Sequence, residues 1–273
     1  MSAIVTTIRD RFSSEATNWD RLYSEPGHGQ QSIYEHNVWM RRQTALAYLG
    51  SPEGRVLDIG CGPGNVALEI DTSKRVIATD FALPMLRTAQ ASARKRNGTL
   101  DLIASDATAL PFSGESVESI IVLGLLEYIT QPSDLLDEIH RVLEPGGTFV
   151  LSSPNARSPF IIIDDALKSL KNLFTQDLLP SGLRKRLKSL MGKTDEPYFT
   201  HKRHRFSPAE IRHQLIELGF EITDTTFHTF GFGVLNRVRL NLSLCRKLES
   251  WAPAHPNLEK LGWTIVLKAK KLS

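Results

Sequence analysis

The stretch VLDIGCGPGN, Val56 to Asn65, decides the fold: an apolar run containing an acid, then glycines at 60, 62 and 64. Glycine tolerates positive φ and lets a ligand approach the main chain, so the run reads as a strand entering a tight, ligand-facing strand-to-helix turn. The spacing is G-x-G-x-G, with Asn65 one further on. A dinucleotide turn has G-x-G-x-x-G, so that a helix N-terminus faces a pyrophosphate. Asp58 argues the same way, because a carboxylate beside the turn repels a diphosphate and attracts an ammonium or sulfonium group. About twenty residues after the turn begins, Asp80 closes the next apolar run, where an acid accepts hydrogen bonds from ribose hydroxyls. The two acids together point to a positively charged nucleoside.

Working outward, short apolar runs alternate with helix-period segments from Arg55 to Ser153. That is the pattern of consecutive βαβ units on a parallel sheet. Strands are expected at Arg55 to Ile59, Arg75 to Thr79, Asp101 to Ala104, Ser119 to Leu123 and Thr148 to Ser152, with two more at Glu221 to Phe227 and Thr264 to Ala269. Between them, Ala82 to Arg96 carries Met85, Leu86, Ala89 and Ala93 at helical spacing and ends in three basic residues that suit the helix dipole. Pro132 to Leu143 is a crossover helix stopped by Pro145, Gly146 and Gly147. Ser207, Pro208 and Glu210 form a capping box with proline at the first helical position. The expected class is α/β, a doubly wound sheet of seven strands.

Composition excludes several alternatives. A chain of 273 residues, 41% hydrophobic and 23% charged, buries a core without disulfides or metals. With Cys61 and Cys245 alone, no disulfide framework or thiolate zinc site is available, although a single bridge is left open by counting. A net charge of +3 is too mild for nucleic-acid binding. The excess is local: residues 155–205 hold eleven Lys and Arg against five Asp and Glu. The opening MSAIVTTIRDRFSSE is not a secretory leader, and no apolar run approaches the ~20 residues of a membrane span, so a cytoplasmic location is expected.

Five stretches, VLDIGCGPGN, VIATDFALPMLRTAQ, ASDATALPF, VLGLLEYI and HRVLEPGGTFVLSSPN, run in order across Arg55 to Asn155. In these the chain resembles the class I S-adenosylmethionine-dependent methyltransferases, particularly the small-molecule group related to the ubiquinone and menaquinone methyltransferases. The resemblance implies a seven-stranded sheet with its last strand antiparallel and S-adenosylmethionine across the C-terminal ends of the first strands. It implies Gly60 and Gly62 against the methionine part, Asp58 near its amino group and Asp80 on the ribose. Phe81 and Met85 would flank the adenine, Asp106 would accept from its amino group, Ala107 would donate its N–H to the ring, and Gly124 would lie beneath the cofactor. Taken singly, the glycines could merely form a turn, Phe81 and Met85 could be core, and Asp106 could cap a loop.

The cofactor carries an activated methyl group, so the protein has to align, desolvate and sometimes deprotonate the acceptor. No general base is evident. Tyr128 stands in LLEYI where many relatives carry histidine, and a phenol near pKa ~10 is a poor base. His36 and His204 are weak candidates, and Cys61 reads as a packing residue. His201 and His204 lack a companion ligand in sequence, so no metal site is expected.

Three regions are expected: an N-terminal helical cover over 1–50, a Rossmann-like domain over 51–273, and a helical insertion at 156–205. The insertion contains FIIIDDALKSLKNLF and LLPSGLRKRLKSLMGK, two amphipathic segments. A lid over the acceptor, a basic surface for an anionic membrane or a carrier protein, and a solvated decoration all fit. The function expected is methyl transfer to a small-molecule acceptor, most plausibly an oxygen of a hydrophobic or amphipathic metabolite. The alternatives are a nicotinamide-dependent oxidoreductase and a non-catalytic S-adenosylmethionine-binding interaction protein.

Overall fold

The computed structural model describes residues 32–70, 75–96, 100–175, 204–235 and 238–273. Seven strands form one sheet: β1 (Val56–Ile59), β2 (Val76–Asp80), β3 (Asp101–Ala104), β4 (Val117–Leu123), β5 (Leu143–Pro154), β6 (Phe220–His228) and β7 (Thr264–Lys271). Their order is β3-β2-β1-β4-β5-β7-β6. The pairs from β3 to β5 are parallel, and β7 runs antiparallel to both β5 and β6.

Period-2 alternation assigns the two sheet faces. Leu57, Ile59, Ile120, Val122, Phe149 and Leu151 point to one core. There they meet Leu135, Leu136 and Ile139 of α3 (Pro132–Val142) and Ile211 and Leu215 of α5 (Pro208–Glu217). Val56, Ala78, Ile121, Val150 and Val266 point to the other, against Ala45 and Leu49 of α1 (Ile33–Leu49) and Leu86 of α2 (Leu83–Lys95). The remaining helices are α4 (Pro159–Thr175), α6 (Arg239–Trp251) and α7 (Pro256–Glu259).

The capping box at Ser207 and Glu210 is present, and Ser32 with Glu35 forms a second that starts α1 three residues before His36. Each such cap contributes about 1 kcal/mol by satisfying helix-end N–H groups.

Three departures from expectation have physical causes. The glycine turn leads, among the described residues, only to a 3₁₀ turn over Ala67–Glu69 rather than a helix; a run of about six residues is too short to nucleate one. Strand β5 starts at Leu143, five residues earlier than Thr148, because Leu143 pairs with Val117 ahead of a register shift. Helix α6 has no counterpart in the sequence reading. Leu240, Leu242 and Leu244 alternate like a strand, which obscures the helical stripe Leu242, Cys245 and Glu249. Residues 1–31 of the proposed cover and the second insertion segment lie outside the described residues.

Candidate active site

A cavity of about 210 Å³ opens at the C-terminal ends of the parallel strands, beside the adjacent β1 and β4 where the strand order reverses. This is the switch point where doubly wound sheets bind ligands. Gly60, Asp80, Phe81, Asp106, Ala107 and Tyr128 are among its lining residues.

The turn after β1 is clipped to the end of β2 by main-chain hydrogen bonds. The N–H groups of Gly60 and Cys61 both donate to the Thr79 carbonyl, at 2.8 and 2.9 Å. Gly62 N–H donates to Asp80 Oδ2 at 3.0 Å, and Ala82 N–H to Oδ1 at 2.8 Å. Gly60 and Gly62 hold φ of 70° and 54°, which explains glycine at both positions. The Asp80 carboxylate keeps acceptor capacity beyond these main-chain N–H bonds for ribose hydroxyls.

Electrostatics distinguish the site from an ordinary turn. Asp58 is buried beneath it at 2% exposure, and one of its oxygens, Oδ2, has no hydrogen-bond partner. Burial, then the nearby Asp80 charge, pushes its carboxyl up to about 7. Burial also raises Asp80 to about 6 against the opposing N–H bonds from Ala82, Gly62 and Phe81. Two acids carrying such a burial penalty, one with an orphaned oxygen, suit a ligand that brings positive charge and hydroxyl donors. The ammonium and ribose groups of S-adenosylmethionine meet that requirement.

Asp106 turns one oxygen back on its own loop: Oδ1 accepts from the Thr108 N–H at 2.9 Å and from its hydroxyl at 2.8 Å. Met85 packs in the core at 2% exposure and does not line the cavity. Asp58, Gly62 and Gly124 also stand behind the lining. Of the base candidates, Tyr128 lines the cavity. His204 stacks on Phe206 with its Nε2 3.2 Å from the carbonyl oxygen of Thr130, a residue of the cavity wall. His36 is elsewhere, with Nε2 2.5 Å from Glu249 Oε2.

Sequence reasoning missed Arg41. It is buried in α1 at 7% exposure, and a Cβ added to Gly124 would overlap its guanidinium. A second cavity of about 40 Å³ lies on the Arg41 side, with Tyr34, Asn37, Pro154 and Arg205 among its lining. Gly124, at φ 68° and with its N–H donating to Ser152 Oγ at 3.0 Å, follows β4 and precedes Leu125, a wall of the larger cavity. The available signal was a basic residue within the face of α1 that buries Val38 and Ala45.

Sheet order and glycine turn together define a Rossmann-like methyltransferase fold, and comparisons with known proteins agree. Residues 57–151 match the methyltransferase domain family. A demethylmenaquinone methyltransferase of Renibacterium salmoninarum is 35% identical over 113 residues, covering 41% of this chain and 46% of that protein. The matches span about half the length of such curated relatives. Magnesium protoporphyrin IX methyltransferase from Synechocystis, solved with bound S-adenosylhomocysteine, superposes with a TM-score of 0.63 at 19% identity over 97% of this chain and 99% of that one. The [4+2]-cyclase SpnF gives a TM-score of 0.57 at 18% identity, over 91% and 85%. Residues 57–151 are therefore similar to the methyltransferase domain family and, in sequence, to demethylmenaquinone methyltransferases.

Proposed function

We propose that this chain is an enzyme that moves the methyl group of S-adenosylmethionine onto an oxygen of a hydrophobic or amphipathic small molecule, in the cytoplasm. The observation that carries the cofactor assignment is the buried pair Asp58 and Asp80 around the glycine turn, with Asp58 Oδ2 unpartnered. Bound there, the cofactor supplies a sulfonium methyl whose departure leaves a neutral thioether. Asp80 would hold the ribose, Gly60 and Gly62 would admit the methionine part, Phe81 would flank the base and Asp106 would meet its edge.

Arg41 supports oxygen as the acceptor atom. A guanidinium beside Gly124 favours the ionised form of an acceptor hydroxyl and disfavours an ammonium at the same place. The acceptor would enter from the Arg41 cavity, on the β5 and β7 side of the sheet. Orientation there supplies several kcal/mol of barrier reduction without a dedicated base. Tyr128, in the wall of the cofactor cavity, would position the bound molecule.

Helix α4 fits the lid reading of the insertion. Ile162, Ile163 and Leu167 are 55%, 43% and 37% exposed, an apolar edge that a hydrophobic acceptor would cover. Deleting 160–191 is expected to spare cofactor binding and abolish transfer to the natural acceptor.

Calorimetry with S-adenosylmethionine, S-adenosylhomocysteine and NAD tests the cofactor. Labelled methyl transfer into a metabolite pool then tests the reaction. Binding of NAD with indifference to both methionine derivatives would overturn the proposal.

A further inference from the structure

Helices α1 and α6 bring three metal-ligating side chains of different chemistry to one point outside the cofactor site. Cys245 and Glu249 are four residues apart on α6 and so share a face. His36 comes from α1. One ligand atom from each lies within 4.8 Å of the other two. His36 and Cys245 are 3% and 0% exposed, and the Glu249 side chain 11%.

The geometry points to a binding site for one zinc-class divalent cation formed by His36 Nε2, Cys245 Sγ and Glu249 Oε2, tying α6 to α1. Two main-chain donors already orient the ligands from behind. Thr229 N–H donates to Glu249 Oε1 at 2.8 Å, which leaves Oε2 directed at His36, and Phe230 N–H donates to Cys245 Sγ at 3.2 Å. Such outer hydrogen bonds fix the orientation of ligands around a metal.

Zinc binds N, S and O atoms at about 2.0 to 2.3 Å in a tetrahedron, which places ligand atoms about 3.3 to 3.8 Å apart. The His36 to Glu249 separation of 2.5 Å then widens by about 1 Å, within the reach of side-chain rotation. Charge also closes: a thiolate and a carboxylate neutralise a divalent cation around a neutral imidazole. Hydrogen bonds alone also engage the thiol, from the Phe230 N–H and with Glu249, and a cation would replace the His36–Glu249 and Cys245–Glu249 contacts by one bond to each of the three groups. The mixed donor set selects zinc-like ions over magnesium or calcium, which take oxygen ligands.

None of the three residues lines either cavity, so the cation acts on structure. It would fix the helix that presents Asn37 and Arg41 to the smaller cavity. This inference is independent of the proposed methyl transfer.

The test uses untagged full-length chain purified without chelators. Elemental analysis should find about one zinc per chain, falling to background in Cys245→Ser, while His204→Ala, a histidine outside the cluster, retains it. Cobalt replacement should give a thiolate-to-metal charge-transfer band in the near ultraviolet, lost in Cys245→Ser, and added zinc should raise Tm in wild type only. Glu249→Gln should weaken retention without removing that band. Wild-type chain with background metal and no cobalt–thiolate absorption overturns the site, as does a band that survives Cys245→Ser. Circular dichroism establishes that the variants fold.

Discussion

Replacing Asp80 with asparagine separates what this residue does for the fold from what it does for the ligand. In the ligand-free chain the carboxylate accepts main-chain N–H bonds, those of Gly62 and Ala82 at 3.0 and 2.8 Å among them, yet burial holds its pKa up to about 6 against an ordinary 3.8. Above pH 6 that shift of about two units corresponds to about 3 kcal/mol of destabilisation from keeping the buried group ionised. Asparagine removes this penalty but turns its NH₂ toward one of the two N–H donors, leaving a donor unsatisfied at a cost of about 1 to 3 kcal/mol. The two effects nearly cancel, so urea denaturation should show unfolding stability within about 2 kcal/mol of wild type. Cofactor binding has no such compensation. Two ribose hydroxyl bonds to a charged acceptor are worth about 1.5 to 3 kcal/mol each, and asparagine returns one weaker bond, so the net loss is about 3 kcal/mol. Calorimetry should therefore find S-adenosylmethionine and S-adenosylhomocysteine bound roughly a hundred-fold more weakly. A folded variant whose affinity stays within about threefold of wild type would refute the ribose assignment.

Three further outcomes follow. Asp58, raised to about 7, holds its proton in the ligand-free fold between about pH 4 and 7, where the unfolded chain has lost it. Ligand-free stability should fall as pH rises through that window, and calorimetry should find the cationic cofactor bound roughly fifty-fold more weakly at pH 5 than at pH 7; Asp58→Asn should flatten both slopes. Gly64 has φ 79° and an added Cβ would sit 2.9 Å from that of Ala89, so Gly64→Ala should lower stability by about 2 to 4 kcal/mol in urea titrations. Arg41→Met should leave cofactor affinity within about threefold while lowering kcat/KM for the natural acceptor at least tenfold and moving its pH profile upward, as a hydroxyl that has lost a neighbouring cation requires. An unchanged pH profile would remove Arg41 from the reaction.

The parts of the molecule visible in sequence are those whose cause is local. All seven strands were expected, most of them as short apolar runs bounded by turn residues, and the Ser207 capping box depends on a spacing of three. The proposed cofactor residues were named for the same reason: Gly60, Asp80, Phe81, Asp106 and Ala107 lie at strand ends in fixed order, and the fold gathers them around one cavity. Met85 was ambiguous because helical spacing reports burial and not what covers the residue, and it proved to be core. Arg41 was hidden because its meaning depends on Gly124, 83 positions away, and the cluster of His36 with Cys245 and Glu249 because His36 and Cys245 are 209 positions apart. Contacts of that kind exist only after the sheet has brought its C-terminal edge together.

That edge divides the work between inherited and particular chemistry. The β1, β2 and β3 ends hold the acids and glycines of the methyltransferase domain, within residues 57–151. The smaller cavity draws instead on α1, on α4 and on the strand-end residues Pro154 and Thr264, almost wholly outside that span. The curated relatives match this chain over about half their own length, and a cyclase of similar fold shows that such a scaffold serves other reactions. The family match over residues 57–151 therefore bears on the cofactor, while in the proposed reading the acceptor is set by side chains outside that span such as Arg41. Variants on the two sides of Gly124 should accordingly divide cleanly, those at Asp58 and Asp80 altering cofactor affinity and those at Asn37 and Arg41 altering acceptor turnover. A variant of Asn37 or Arg41 that weakened cofactor binding as much as Asp80→Asn would merge the two halves into one site and place the acceptor elsewhere.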